Sequence, residues 1–178
     1  HNQSVMLYSK DGFDESLVRG VFVKIQEHHD VLRMTYKKEN GEIIQMNHGL
    51  DYPFSCEVYD FRDIAHEKGV EKLELTAEDI QAGIDLENGP LMKLGIFRLS
   101  DGDRLLVLFH HLVIDGISWR ILLEDFQALY SQYKQGKSLS LPYKTDSFKL
   151  WSEGLCAYAN SKSFLEEKSY WENLASVP

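Results

Sequence analysis

A chain of 178 residues, 43% hydrophobic and 26% charged, is long enough for one domain with a sizeable core and has an ordinary globular composition. Its 28 acidic and 19 basic residues leave a net charge of −9, the wrong sign for gripping a phosphate backbone, which argues against nucleic acid as a partner. No apolar run approaches the ~20 residues that span a bilayer, and the first residues lack the basic-then-apolar pattern of a signal peptide, so a cytosolic address without membrane attachment is expected. In a chain too large to need stapling, Cys56 and Cys156 are expected as free thiols.

The opening residues run straight into the apolar Val5-Met6-Leu7 strand, so the chain reads as a piece of something longer. Asp14 can cap a helix whose apolar positions Leu17, Val18, Val21 and Ile25 recur near the 3.6 period. That helix ends at His28-His29-Asp30, where the imidazoles complement the negative end of the helix dipole. Val31 to Lys37 and Ile43 to Met46 flank Asn40-Gly41, a hairpin signal, and a strand is expected near Cys56 to Tyr59. Thr76 with Asp79 offers a capping box for a helix through Ile80 and Ile84, and Gly89-Pro90 interrupts the pattern.

A second hairpin follows, with arms Leu91 to Leu99 and Arg104 to His111. Leu105 to Phe109 is apolar on both faces, as a central strand covered on each side must be. Beyond Asp115-Gly116, a stripe of Trp119, Leu122, Leu123, Phe126, Leu129, Tyr130 and Tyr133 predicts a long amphipathic helix. Ser138 to Thr145 reads as a connection rather than a domain boundary. Two helices are then expected, one opening at Ser147 and burying Phe148, Trp151 and Leu155, the other opening at Ser163 with Glu166 completing a capping box.

The chemistry is concentrated in His110-His111-Leu-Val-Ile-Asp115-Gly116-Ile-Ser118-Trp119. Two imidazoles at the end of a buried strand lie where ligands often bind in α/β architectures. Successive strand side chains point to opposite faces, so one of the pair packs inward and the other is available for acid-base work. Adjacent strand histidines chelate poorly, and no Cys or Glu stands near at ligand spacing, so no metal is expected. An imidazole, with an unperturbed pKa near ~6.5, can take a proton at neutral pH and return it. Spacing alone leaves a purely structural reading of the His pair equally open.

The run resembles the His-His-x-x-x-Asp-Gly signature of the condensation-domain superfamily of nonribosomal peptide synthetases, whose fold is similar to chloramphenicol acetyltransferase. The Gly116-Ile-Ser118-Trp119 continuation resembles its epimerization branch, where condensation domains usually have Trp then Ser after Asp-Gly. Asn2-Gln3-Ser4, Glu27-His28-His29-Asp30-Val-Leu-Arg33, Leu141-Pro142-Tyr-Lys144-Thr145-Asp-Ser147-Phe148 and Tyr170-Trp171 resemble that branch as well. The resemblance implies an α/β sandwich, a mixed sheet packed with helices, with residues 1–178 forming the amino-terminal lobe of a two-lobed, V-shaped domain whose C-terminal lobe is absent.

The implied activity is epimerase (isomerase) chemistry: L-to-D inversion of an aminoacyl or peptidyl thioester by removal and return of its α-proton. The implied partners are an upstream peptidyl carrier protein, which carries the 4′-phosphopantetheine, and the C-terminal lobe, which offers a glutamate as second acid/base group. The lobe itself binds no cofactor, and alone it is expected to be inert and to expose an apolar surface that favours a homodimer.

By the same resemblance His111 is the acid/base residue and His110 a packing residue. Asp115 is structural, paired with Arg33 in a buried ion pair whose disruption costs roughly 3 to 5 kcal/mol; otherwise Arg33 is a surface charge on the hairpin. Gly116 gives a pantetheine arm room to pass, or is a turn glycine. Ser118 and Trp119 support the motif, and Asn2 and Gln3 either line the substrate channel or are polar groups at a turn. The alternatives are a condensation domain forming an amide between carrier-bound substrates, a non-catalytic carrier-docking module, and an acyltransferase using coenzyme A.

Overall fold

In the computed structural model, which describes residues 1–175, the chain divides into two compact units, the first ending at Pro142 and the second starting at Tyr143. The first is built on a four-stranded mixed sheet of β1 (Asn2–Ser9), β6 (Gly102–His110), β5 (Met92–Leu99) and β4 (Ser55–Asp60), in that order. Only the β4–β5 pair is parallel; β1 and β5 flank β6 antiparallel. A separate hairpin joins β2 (Met34–Glu39) to β3 (Glu42–Asn47). Asn40 and Gly41 at its tip have φ of 52° and 88°, the two positive values that a two-residue turn needs to match strand twist.

Helices cover both faces of the sheet because β6 is apolar in both directions. Leu105, Val107 and Phe109 point to one side, into a core shared with α1 (Glu15–His28) and α3 (Gly116–Lys134). Leu106 and Leu108 point to the other, against α2 (His66–Ala82). All five are at most 3% exposed, as a central strand requires. Asp14 caps α1 by accepting from the Leu17 amide at 2.8 Å.

Several boundaries differ from the sequence reading. The 3-10 turn Asp30–Arg33 takes Val31 out of the hairpin, whose strand starts at Met34. α2 begins ten residues before Thr76, because Val70, Leu73, Ala77 and Ile80 already form a helical stripe packed on the sheet. Thr76 is therefore no cap: inside the helix its hydroxyl donates back to the Lys72 carbonyl at 2.7 Å. Ile84 lies past the helix end.

The division at Pro142/Tyr143 falls within the stretch read as a mere connection. The second unit holds α4 (Phe148–Ala159), α5 (Lys162–Glu166) and α6 (Lys168–Ala175). Ser147 caps α4 as expected, but Ser161, not Ser163, caps the next helix, accepting from the Phe164 amide at 3.3 Å. The expected burial does not occur: Phe148, Trp151 and Leu155 are 43%, 57% and 49% exposed. Periodicity places these side chains on one stripe but supplies no cover, and a segment below ~40 residues rarely builds a core of its own. Both cysteines are free, Cys56 buried and Cys156 exposed, and no helix among the described residues is long and apolar enough to cross a membrane.

Candidate functional site

The strand β6 ends at His110, and the chain turns through His111-Leu112-Val113-Ile114 before Asp115 opens α3. Val113 and Ile114 plug into the core at 5% and 4% exposure, which anchors the turn while leaving His111 and Leu112 at the surface. The two imidazoles separate because His111 has left the strand, not because successive strand side chains alternate between its faces.

His111 is exposed, and its Nδ1 lies 2.8 Å from the Ile114 carbonyl oxygen. A carbonyl oxygen only accepts, so Nδ1 carries the hydrogen, and in the neutral ring the lone pair sits on Nε2. The turn thus selects the tautomer and orients the free nitrogen. The His111 amide donates to the His1 carbonyl at 2.9 Å, and the His1 ring stacks on the imidazole at 5.4 Å.

His110 is half-buried, and its Nδ1 accepts from the Leu112 amide at 3.2 Å. Burial pushes its pKa down, which favours a neutral packing residue that shapes the turn. Its register partner Asn2 donates to the Gln81 carbonyl at the end of α2 at 2.8 Å. One position on, Gln3 pairs with Phe109 and accepts from the Trp119 indole at 2.8 Å, while Trp119 meets Phe109 edge-on at 5.3 Å. Asn2 and Gln3 therefore tie the edge strand to α2 and α3 respectively.

The ion pair between Asp115 and Arg33 is not formed. Asp115 is exposed and is the N-cap of α3, its Oδ1 accepting from the Ser118 amide at 2.7 Å and the Ser118 hydroxyl at 2.6 Å. Arg33 is neither paired with it nor on the surface. At 8% exposure its guanidinium donates to the carbonyls of Gln26, of Glu27 at 3.4 Å and of His48 at 3.0 Å, sealing the end of α1 against the hairpin. The orphan carbonyls of a helix end compete for the guanidinium, and they lie closer along the chain than Asp115 does.

The Ser118 hydroxyl and amide hold the Asp115 carboxyl below its ordinary pKa. The folded value thus sits below the unfolded ~3.9, so the cap's contribution is complete above about pH 4 and is lost as pH falls through the folded value. Asp115→Ala is expected to cost about 1 kcal/mol, and Asp115→Asn only a few tenths, since asparagine caps nearly as well. Denaturation midpoints of the two variants, compared at pH 7 and near pH 3, check both magnitude and sign.

Gly116 needs no left-handed backbone, and a Cβ built there would meet nothing within 4 Å. Its lack of a side chain leaves open space at the first turn of α3 rather than easing a turn. Gly116→Leu is therefore expected to leave the melting temperature within a few degrees of the parent, which thermal denaturation of the two chains checks.

Sequence reasoning missed Tyr36, whose hydroxyl reaches from the hairpin to the Leu112 carbonyl at 3.2 Å. It also missed the Ile114 carbonyl. Neither carries a local pattern, since the first comes from a remote strand and the second from backbone. Leu112, Ile117 and Ile121 stand exposed near the turn at 49%, 74% and 45%.

Residues 1–177 match the family described as Condensation domain. Tyrocidine synthase 2 of Brevibacillus parabrevis is 52% identical over 177 residues, 99% of this chain and 5% of that protein. Bacitracin synthase 2 of Bacillus licheniformis is 49% identical over 177 residues, 98% of this chain and 7% of that protein. Among solved structures, the epimerization domain from the third module of tyrocidine synthetase B superposes with a TM-score of 0.94 at 50% identity, covering 99% of this chain and 40% of that one. The starter condensation domain of rhizomide synthetase, at a TM-score of 0.81 and 17% identity over 98% of this chain and 42% of that one, shares the fold. The mixed α/β sandwich expected from the motif is thus the one observed, and with a family match over nearly its whole length the chain belongs to the condensation-domain family.

Proposed function

We propose that the chain is the amino-terminal lobe of an epimerization domain, inverting the α-carbon of an aminoacyl or peptidyl thioester that a peptidyl carrier protein presents on 4′-phosphopantetheine. The observation that carries this reading is the His111 imidazole, exposed and held by the Ile114 carbonyl so that Nε2 is free. The half-identical epimerization domain among solved structures supports the isomerase reading over other members of the family.

In this reading Nε2 takes the α-proton from one face of the substrate, and the electron pair left on carbon spreads onto the thioester oxygen. The imidazolium keeps its Nδ1–H on the Ile114 carbonyl, so the ring holds its orientation through the transfer. A proton must then reach the opposite face, and inversion needs a second acid/base group beyond this chain, in the C-terminal lobe. Pantetheine is substrate-borne, and the open space at Gly116 is where the backbone leaves it room. The exposed Leu112, Ile117 and Ile121 support a further surface closing over the turn.

The discriminating experiment supplies the intact domain with a carrier-bound L-aminoacyl thioester and a second carrier-bound acceptor. Formation of the D-configured thioester is expected; amide product without inversion would assign the condensation reaction instead. The same assay on this chain alone is expected to give no inversion above background.

A further inference from the structure

The end of α1 and the middle of α3 bring together a second group of imidazoles that the proposed chemistry does not use. α1 closes with His28, and His29 is its C-cap, its amide returning to the Ile25 carbonyl at 2.9 Å. Arg33 holds the carbonyls of Gln26 and Glu27 from behind, so the backbone carrying both histidines is anchored. α3 packs on α1 through the Phe22 and Phe126 rings, 5.5 Å apart, and Asp125 precedes Phe126.

The carboxylate is thereby set against the imidazoles: His29 Nε2 lies 2.7 Å from Asp125 Oδ2. The His28 ring meets the His29 ring edge-on, with centroids 4.8 Å apart and planes at 83°. One donor atom from each of the three residues lies within 4.8 Å of the others. The His29 and Asp125 side chains are 27% and 16% exposed, open enough for a small ion to enter and buried enough to keep most water away.

We propose that His28, His29 and Asp125 form a binding site for a divalent transition-metal ion of the zinc type. Two neutral imidazoles and one carboxylate suit a borderline-soft, tetrahedral cation, with water in the fourth position. Calcium and magnesium call for more oxygen ligands than this cluster supplies. Metal–nitrogen bonds of about 2.0–2.1 Å place tetrahedral donors roughly 3.4 Å apart, so small rotations of the rings and carboxylate complete the site. The ion takes the place of the proton shared by His29 and Asp125, which leaves to solvent. Asp125 lies about 14 Å along α3 from the helix start at ~1.5 Å per residue, so the ion clamps α1 to α3 without entering the chemistry at His111. The proposal stands independently of the epimerization reading.

Zinc titration of the full chain by calorimetry, with Co²⁺ as an absorbing probe of coordination, tests it. Expected are one ion per chain, a rise in the thermal midpoint at saturating zinc, and visible d–d bands with cobalt. His28→Ala and Asp125→Asn should each weaken zinc binding at least about tenfold. Asparagine can still hydrogen-bond His29, which guards against a folding defect. His111→Ala, which removes a remote imidazole, should leave the tight site intact. No saturable zinc binding, or binding unchanged in both His28→Ala and Asp125→Asn, would overturn the proposal.

Discussion

His111→Ala in the intact domain is expected to lower α-proton exchange into deuterated water by about 10²- to 10⁴-fold, the usual contribution of a positioned acid/base group. The fold should be untouched, because the side chain is exposed and its one hydrogen bond goes to the Ile114 carbonyl of its own turn. Circular dichroism and melting temperature should match the parent. Exchange measured by loss of the α-proton signal in a carrier-bound substrate reads the chemical step directly, and an unchanged rate would remove the role assigned to this imidazole. His110→Ala should behave differently: its ring accepts from the Leu112 amide, so losing it loosens the turn and lowers stability as well as rate.

Arg33→Ala is expected to be the most destabilising of these changes, at about 3 kcal/mol. A buried backbone acceptor left without a donor costs roughly 1–3 kcal/mol, and Arg33, itself almost wholly buried, serves the buried Gln26 carbonyl together with the partly buried carbonyls of Glu27 and His48. Lysine should recover only part of the loss, since a point charge on a flexible stem cannot reproduce the guanidinium fork. A double-mutant cycle with Asp115→Ala distinguishes this account from a buried ion pair. The two costs should add to within ~0.5 kcal/mol, because the groups share no contact. A coupling of several kcal/mol in denaturant titrations would restore the pair that the sequence motif implies.

The misplaced pair shows where local pattern stops being informative. His110-His111-Leu-Val-Ile-Asp115-Gly116 marks a strand, a turn and a helix start, and each was legible because alternation, turn residues and capping are properties of adjacent residues. Asp115 as a cap follows from the same logic. Which partner Arg33 takes does not, since the end of α1, the hairpin and the start of α3 all offer acceptors. Only packing chooses among them. The early start of α2 and the exposed stripes of α4 and α6 repeat the point, because periodicity states which side chains share a face but not what covers it.

The sequence by itself determined the strand and helix order of the first unit, the central position of β6, the capped entry into α3 and the placement of an imidazole at the end of a buried strand. These follow from apolar period and from side-chain to backbone hydrogen bonding over a few residues. Tertiary structure alone decided that His111 presents Nε2 through the Ile114 carbonyl, that Gly116 borders open space, that Arg33 serves carbonyls, and that His28, His29 and Asp125 meet. Each of those depends on contacts between segments distant in sequence or on backbone atoms that every residue carries alike, and neither leaves a mark in the order of side chains.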